Sequence, residues 1–249
     1  MSVLLLDLGN TRLKWALAEA QEDWPARGSA SPDELQPLLA EWRQLVAPRR
    51  IVGCSVAAPE LGAALDAFCR QTWDRGIDWI QVEREALGVR NRYRRLEQQG
   101  PDRWAAVLGA RAAEPGQALV IATAGTALTV DALTADGRFL GGVIVPGYRM
   151  MKAALAAGTA RLPDAGGNVH DFPTSTEDAI ETGVQTALAG CVTAALDRLV
   201  ARGEEPLLLL SGGDAAVLAP WLERLPCRQI DHLVLRGLAA LAFDGDARP

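Results

Sequence analysis

The sequence predicts an α/β fold built as two similar lobes, and three observations carry that expectation. Apolar runs of strand length alternate with longer stretches whose apolar residues recur at helical spacing. A strand, a small polar loop and a second strand occur twice: AGTALTVDAL holds in the second half the place of LGNTRLKWAL in the first, with Gly125 standing for Gly9 116 residues earlier. No linker or low-complexity tract divides the chain, so the repeat itself sets the expected boundary, with one lobe over residues 1–116 and another over 117–249.

Taken in order, MSVLLL is apolar and unbroken, as expected of a strand buried on both faces. Asp7, Asn10, Thr11 and Lys14 follow within eight residues and supply acceptor, donor and cation, while Gly9 permits a tight turn. Arg12 to Leu17 then alternates, which makes a hairpin. Its tip has two readings, ordinary turn chemistry or a face presented to a ligand. SPDELQPLLAEWRQLVA opens with a helix N-terminal signature at Ser31 to Glu34, RRIVGCSV is a short buried strand, a helix follows near residues 59–75, and IDWIQVE is another strand. From residue 118, ALVIATAGTALTVDALTADGRFLGGVIVPG holds three strands joined by a glycine turn and by Ala135-Asp136-Gly137. YRMMKAALAAGTARL and STEDAIETGVQTALAGCVTAALDRLVARG are helical, the second capped by Ser175 or Thr176, and EPLLLLSGGDAAVLAPWLERL gives strand, glycine turn and helix.

The net charge of -6 and pI near 5.1 argue against a general nucleic-acid partner, which needs a concentrated basic face. RNRYRR, residues 90–95, is the one basic cluster and fits a solvated face or a small-anion site. Cys54, Cys69, Cys191 and Cys227 show no metal-ligand spacing and are expected as reduced, mostly buried thiols. No cationic leader is visible and no apolar run approaches the roughly 18 residues of a membrane span, so a cytoplasmic protein with no membrane partner is expected.

Three glycine loops follow buried strands: DLGNT at 7–11, TAGTA at 123–127 and SGGD at 211–214. Such loops offer backbone N–H groups and hydroxyls to phosphates. Neither GxxxxGKS/T nor GxGxxG is present, so a P-loop or dinucleotide fingerprint does not explain them. The doubled unit with a later GG loop resembles the acetate-kinase, sugar-kinase, heat-shock-chaperone and actin superfamily. That resemblance implies two ribonuclease H-like lobes, mixed sheets flanked by helices, with ATP between them. Gly125 and Thr126 would then hold phosphate, with Gly212 and Gly213 toward the nucleotide.

GPDRW opens an apolar helix and places a carboxylate and a guanidinium at its positive end. On its own, Asp102 could be a helix cap and Arg103 a solvent-facing residue. With DLGNTRLKW, the NRY tripeptide at 91–93, GPDRW, AGTALTVDAL, GGVIVPGYRMM, GTARLP, STEDAIETG, SGGDA and IDHLVLRGL, the chain resembles the type III pantothenate kinases from end to end. The resemblance implies ATP-dependent phosphorylation of the primary hydroxyl of pantothenate, the first step toward coenzyme A. It implies Asp102 as general base, and Asp7 orienting Mg²⁺ with Gly9, Asn10, Thr11 and Lys14 beside the phosphates. It further implies Tyr93, Gly100 and Arg103 on pantothenate with the partner subunit's Thr176, a homodimer, and a monovalent cation, potassium or ammonium, at Asp131. Thr176 could equally be a helix cap, and Asp131 could simply end a strand. Many relatives carry an acid where this chain has Thr123, which puts the metal geometry of the second loop in question. The competing readings are another phosphotransferase or phosphatase of the superfamily with a different acceptor, and a non-catalytic nucleotide-binding accessory protein.

Overall fold

The structure, a computed structural model, describes residues 2–159 and 166–244. The chain divides into two units, one running up to Pro115 and including the residues from His232 onward, the other Gly116–Asp231.

In the first unit, β1 (Val3–Leu8) is buried along its whole length, which is why its sequence does not alternate. It pairs antiparallel with β2 (Leu13–Ala18), which pairs antiparallel with β3 (Ala26–Ala30) at the edge. Ser31 and Glu34 form a capping box, the Ser31 N–H donating to Glu34 Oε2 at 2.8 Å, and lead into α1 (Leu35–Trp42). On the other side of β1 lie β4 (Arg50–Ser55) and, after α2 (Pro59–Trp73), the two-residue β5 (Asp78–Trp79), both parallel, so the order is β3-β2-β1-β4-β5. Leu4, Leu6 and Leu8 of β1 pack with Leu38, Leu65, Trp42, Phe68 and Trp73, the three aromatic rings set edge-on and tilted against one another. A short hairpin, β6 (Glu85–Ala86) and β7 (Val89–Asn91), then precedes α3 (Pro101–Ala113).

The second unit repeats the plan. β8 (Ala118–Ala124) pairs antiparallel with β9 (Ala127–Leu133), β9 with β10 (Arg138–Pro146). After α4 (Tyr148–Gly158) and α5 (Thr176–Val200), β11 (Pro206–Ser211) lies parallel to β8, and after α6 (Ala215–Leu222), β12 (Cys227–Gln229) lies parallel to β11. The order β10-β9-β8-β11-β12 matches that of the first unit strand for strand and in sense. α5 buries Ile180, Val184, Leu188, Val192 and Leu196 against Val120, Ala122, Leu208 and Leu210. By length and composition α5 could cross a membrane, which the sequence discounted; half of it is buried here, the position of a core helix.

The last helix, α7 (Leu233–Phe243), returns to the first unit and crosses α3 at backbone contact. A Cβ on Gly237 would lie 1.8 Å from the Ala105 carbonyl oxygen, and one on Gly109 2.3 Å from that of Leu233. The sequence put residues 117–249 in one lobe, whereas the segment from His232 packs with the first. Two further differences are local. IDWIQVE narrows to the two residues of β5, and β3 and the β6–β7 hairpin have no counterpart in the sequence expectations. Residues 160–163 of the GTARLP motif lie outside the described residues.

Candidate active site

Asp7 is the second-last residue of β1, and the register sets Lys14 of β2 and Cys54 of β4 on either side of it. Lys14 Nζ lies 3.8 Å from Asp7 Oδ2, and the Cys54 thiol donates to Oδ1 at 3.8 Å. Asp7 is 7% exposed. Burial pushes its carboxyl above the ordinary value, Lys14 pulls it partly back, and the charge of Asp102 pushes it up again, so the two carboxylates feel one another. Burial, then the same two acids, also push the Cys54 thiol far up, which keeps it neutral and unreactive. Beyond the strand, the Gly9 N–H donates to the Arg12 carbonyl at 3.1 Å, and Asn10 and Thr11 stand exposed at the tip.

Gly100 precedes α3, Pro101 is its first residue and Asp102 its second. Asp102 does not cap the helix. Its Oδ1 accepts from the N–H of Arg103 at 2.8 Å, and a Cβ on Gly100 would come within 2.4 Å of that oxygen, so glycine leaves the carboxylate its room. Arg103 is not solvent-facing either: it is 5% exposed, its Nη1 donates to the Tyr93 hydroxyl at 2.9 Å, and its guanidinium stands over the Tyr93 ring. Tyr93 is itself held. Its N–H donates to Asn91 Oδ1 at 3.0 Å, Arg84 Nη1 donates to the carbonyls of Asn91 and Tyr93, and Asn91 Nδ2 donates to Gln99 Oε1 at 2.7 Å. Asn91 and Gln99 are buried residues of this site that sequence reasoning left without a role. The available signal for Asn91 was an amide flanked by arginines in the RNRYRR cluster, two residues before the tyrosine.

In the second unit the turn between the paired Ala124 and Leu128 is one residue shorter than that between Leu8 and Leu13, and Gly125 N–H donates to the Ala127 carbonyl at 3.1 Å. Thr123 holds the place of Asp7, opposite Thr129 of β9 and Ser211 of β11. Its Oγ1 is buried and has no hydrogen-bond partner among the described residues. Gly212, at φ +102°, passes so close to β8 that a Cβ would lie 2.0 Å from the Ala124 carbonyl oxygen, and Gly213 beside it is exposed. Gly147 donates its N–H to the carbonyl of Thr126 at 2.9 Å and allows no Cβ, which would stand 2.0 Å from the Gly125 carbonyl. Thr126 is exposed at the tip. Strand alternation puts Asp131 on the sheet face of Thr123 and Thr129, away from α5. Asp131 is 1% exposed, and its Oδ1 lies over Gly142, where a Cβ would be 2.4 Å away. Ser175 is the cap of α5, its Oγ accepting from the Asp178 N–H at 3.2 Å; Thr176 is the exposed first residue of the helix. It lines an apolar cleft of about 880 Å³ with Pro146, Met151, Leu155 and Ile180.

The first unit thus brings together Asp7, Lys14, Tyr93, Gly100, Asp102 and Arg103, while Thr126, Asp131, Thr176, Gly212 and Gly213 belong to the second. Two carboxylates against one lysine leave the Asp7 site short of positive charge, and among the described residues no group of three or more His, Cys, Asp or Glu forms a closed metal cage. This donor set fits Mg²⁺, which takes one or two carboxylates and completes its shell with water and substrate phosphate.

Residues 3–198 match the family model of type III pantothenate kinase. The chain belongs to the type III pantothenate kinase family. Curated type III pantothenate kinases of Chromobacterium violaceum and of Azoarcus sp. are 45% and 43% identical to it, each over 96% of this chain and over 98% and 90% of their own lengths. Among solved structures, a Campylobacter jejuni chain described as a Baf family transcriptional activator superposes with TM-score 0.63 at 21% identity, covering 98% of this chain and 100% of that one. The activator of 2-hydroxyisocaproyl-CoA dehydratase from Clostridium difficile, with bound ADPNP, superposes with TM-score 0.56 at 16% identity, over 98% and 95%. At those identities the likenesses show the fold, that of the actin-like ATPases and sugar kinases, and family membership makes the chain an ATP-dependent pantothenate kinase.

Proposed function

We propose that Asp102 is the general base of this pantothenate kinase, taking the proton of the primary hydroxyl as that oxygen attacks the γ-phosphorus of ATP, whose bond to the β,γ-bridging oxygen breaks, to give 4'-phosphopantothenate and ADP. The observation that carries this reading is the setting of Asp102: it stands at the start of α3, given room by Gly100 and held by the Arg103 N–H, close enough to Asp7 for its charge to act there, and next to the buried Arg103 and its half-buried partner Tyr93. A carboxylate held beside an anchored cation and hydroxyl suits a substrate that carries a carboxylate at one end and a nucleophilic hydroxyl at the other.

Phosphoryl transfer relies chiefly on positioning and charge neutralisation. Asp7 would orient Mg²⁺, which supplies the neutralising charge on the phosphates, with Lys14 and the Gly9, Asn10 and Thr11 tip beside them. Gly125 and Thr126 would hold phosphate, and Gly212 and Gly213 would approach the nucleoside. Tyr93, Gly100 and Arg103 would bind pantothenate together with the partner subunit's Thr176 in a homodimer; the exposure of Thr176 beside an apolar cleft supports a role outside its own unit. Asp131, a buried hard oxygen, is assigned the monovalent cation, potassium or ammonium, and the unpaired Thr123 hydroxyl on the same sheet face supports an oxygen-lined site there. The enzyme is proposed to work in the cytoplasm without a nucleic-acid or membrane partner, in keeping with its acidic balance.

The test is mass-spectrometric detection of phosphopantothenate from pantothenate, ATP, Mg²⁺ and potassium. Asp102→Asn is expected to lower kcat by about 10²–10⁴-fold with the pantothenate KM little changed. Equal turnover by both proteins would refute the assignment of the base.

A further inference from the structure

The second unit holds a polar chain that the chemistry above does not use. The Glu181 carboxylate, on α5, accepts three hydrogen bonds: from the Tyr148 hydroxyl at 2.5 Å, from Lys152 Nζ at 2.8 Å and from Gln185 Nε2 at 2.6 Å. Lys152 Nζ also donates to the Tyr148 hydroxyl at 3.2 Å, and Trp221 Nε1 of α6 donates to Gln185 Oε1 at 2.7 Å. The side chains of Lys152 and Glu181 are 12% and 7% exposed. An ion pair so buried carries a desolvation cost that an apolar pair would not, so its contribution to stability alone is a weak reason for it.

What the chain fixes is the start of α4. Tyr148 and Lys152 lie on the first two turns of that helix, and Gly147 directly before it donates to the Thr126 carbonyl and touches Gly125. Tyr148 also lines a small void with Ala124, Gly125, Gly147 and Asp214, beneath the same loop. We propose that Glu181, with Tyr148 and Lys152, is a positioning residue for phosphoryl transfer, anchoring α4 to α5 so that Gly147 holds the Gly125–Thr126 loop in the shape that binds the phosphates of ATP. The inference rests on the assignment of that loop to phosphate.

Steady-state kinetics of the full chain test it, with ATP and pantothenate varied separately and a thermal melt beside each variant. Glu181→Gln keeps the shape and removes the charge; it is expected to raise the ATP KM about 5–20-fold with the pantothenate KM within about twofold. Tyr148→Phe, which deletes one oxygen and is the safer variant for folding, is expected to raise the ATP KM about 2–5-fold. Lys152→Arg retains a cation and should keep both values near those of the unaltered enzyme, where Lys152→Met should not. A lowered melting temperature with an unchanged ATP KM in Glu181→Gln and Tyr148→Phe would overturn the inference and leave the chain a packing feature. Thr126→Ala separates the two levels. If it raises the ATP KM while the Glu181 and Tyr148 variants do not, the positioning role alone fails; if it leaves the ATP KM unchanged, the loop's assignment fails and the inference falls with it.

Discussion

Asp7 stands at the residue scale for a conflict between stability and chemistry. Its carboxylate is buried at a strand end, Lys14 beside it is 3.8 Å away and partly solvated, and its folded-state proton affinity is raised. A charge held so is costly in the ligand-free protein and useful once Mg²⁺ and phosphates arrive. Asp7→Asn is therefore expected to stabilise the ligand-free enzyme at neutral pH by about 1 kcal/mol, about 2–4 °C in Tm, and to lower turnover by about two orders of magnitude or more. A lower melting temperature for the variant in the absence of nucleotide and Mg²⁺ would show that Lys14 and Cys54 more than offset the burial. Single residues were legible in the sequence where the chemistry is local. Asp7, Gly9, Asn10 and Thr11 sit within one turn, so the strand end and its loop declare themselves together. The burial of Arg103 was not, because its partner Tyr93 lies ten residues upstream, across the 3-10 turn Leu96–Gln98, and that approach is not encoded in spacing.

At the scale of elements, the α4–α5 link makes an acid-sensitivity prediction. Burial alone would raise the Glu181 carboxyl, but the bonds from Lys152, Tyr148 and Gln185 outweigh it and hold it below the ordinary value. A carboxyl depressed in the folded state contributes stability above its unfolded-state value, near 4.3 for glutamate, and loses that contribution as pH falls through the folded-state value. The stability gap between the unaltered enzyme and Glu181→Gln is thus expected to be constant from about pH 7 to 5 and to narrow below about pH 4.5 in urea titrations. A gap equally wide at pH 4 would mean that the hydrogen-bond geometry, and not the charge, carries the link. The strands that hold the loops were readable because β1, β8 and β11 are buried apolar runs that end abruptly in glycine and polar residues. β3 was not. ARGSA has no branched or aromatic residue, and Gly28 is there to let the Trp15 indole lie over it, 3.1 Å from where a Cβ would stand.

At the scale of the whole molecule, the duplication explains where the site residues fall and also why the last helix was grouped with the second unit. Strand order and sense repeat from β1–β5 to β8–β12, and the repeat is visible in sequence because it recurs in the loops. The last helix carries no such mark. Its partner is α3, more than a hundred residues earlier, and the contact is made by Gly109 and Gly237, residues that helix propensity counts against a helix. Here they let two backbones touch, and α3 is the element whose first turn holds Asp102 and Arg103. α7 is accordingly part of the support of the catalytic end even though it follows the whole second unit in the chain. A chain ending at Asp231 is expected to lose hydrogen-exchange protection throughout β1, β4 and α3 while β8, β9 and β11 keep theirs, because only the first unit loses a face of its core. Gly237→Ala, which forces a methyl group toward the Ala105 carbonyl, should do the same more mildly, destabilising the first unit by about 1–3 kcal/mol. Retained protection of α3 in the shortened chain would mean that the first unit's sheet holds α3 unaided, and that the contact between Gly109 and Gly237 is not what keeps Asp102 in place.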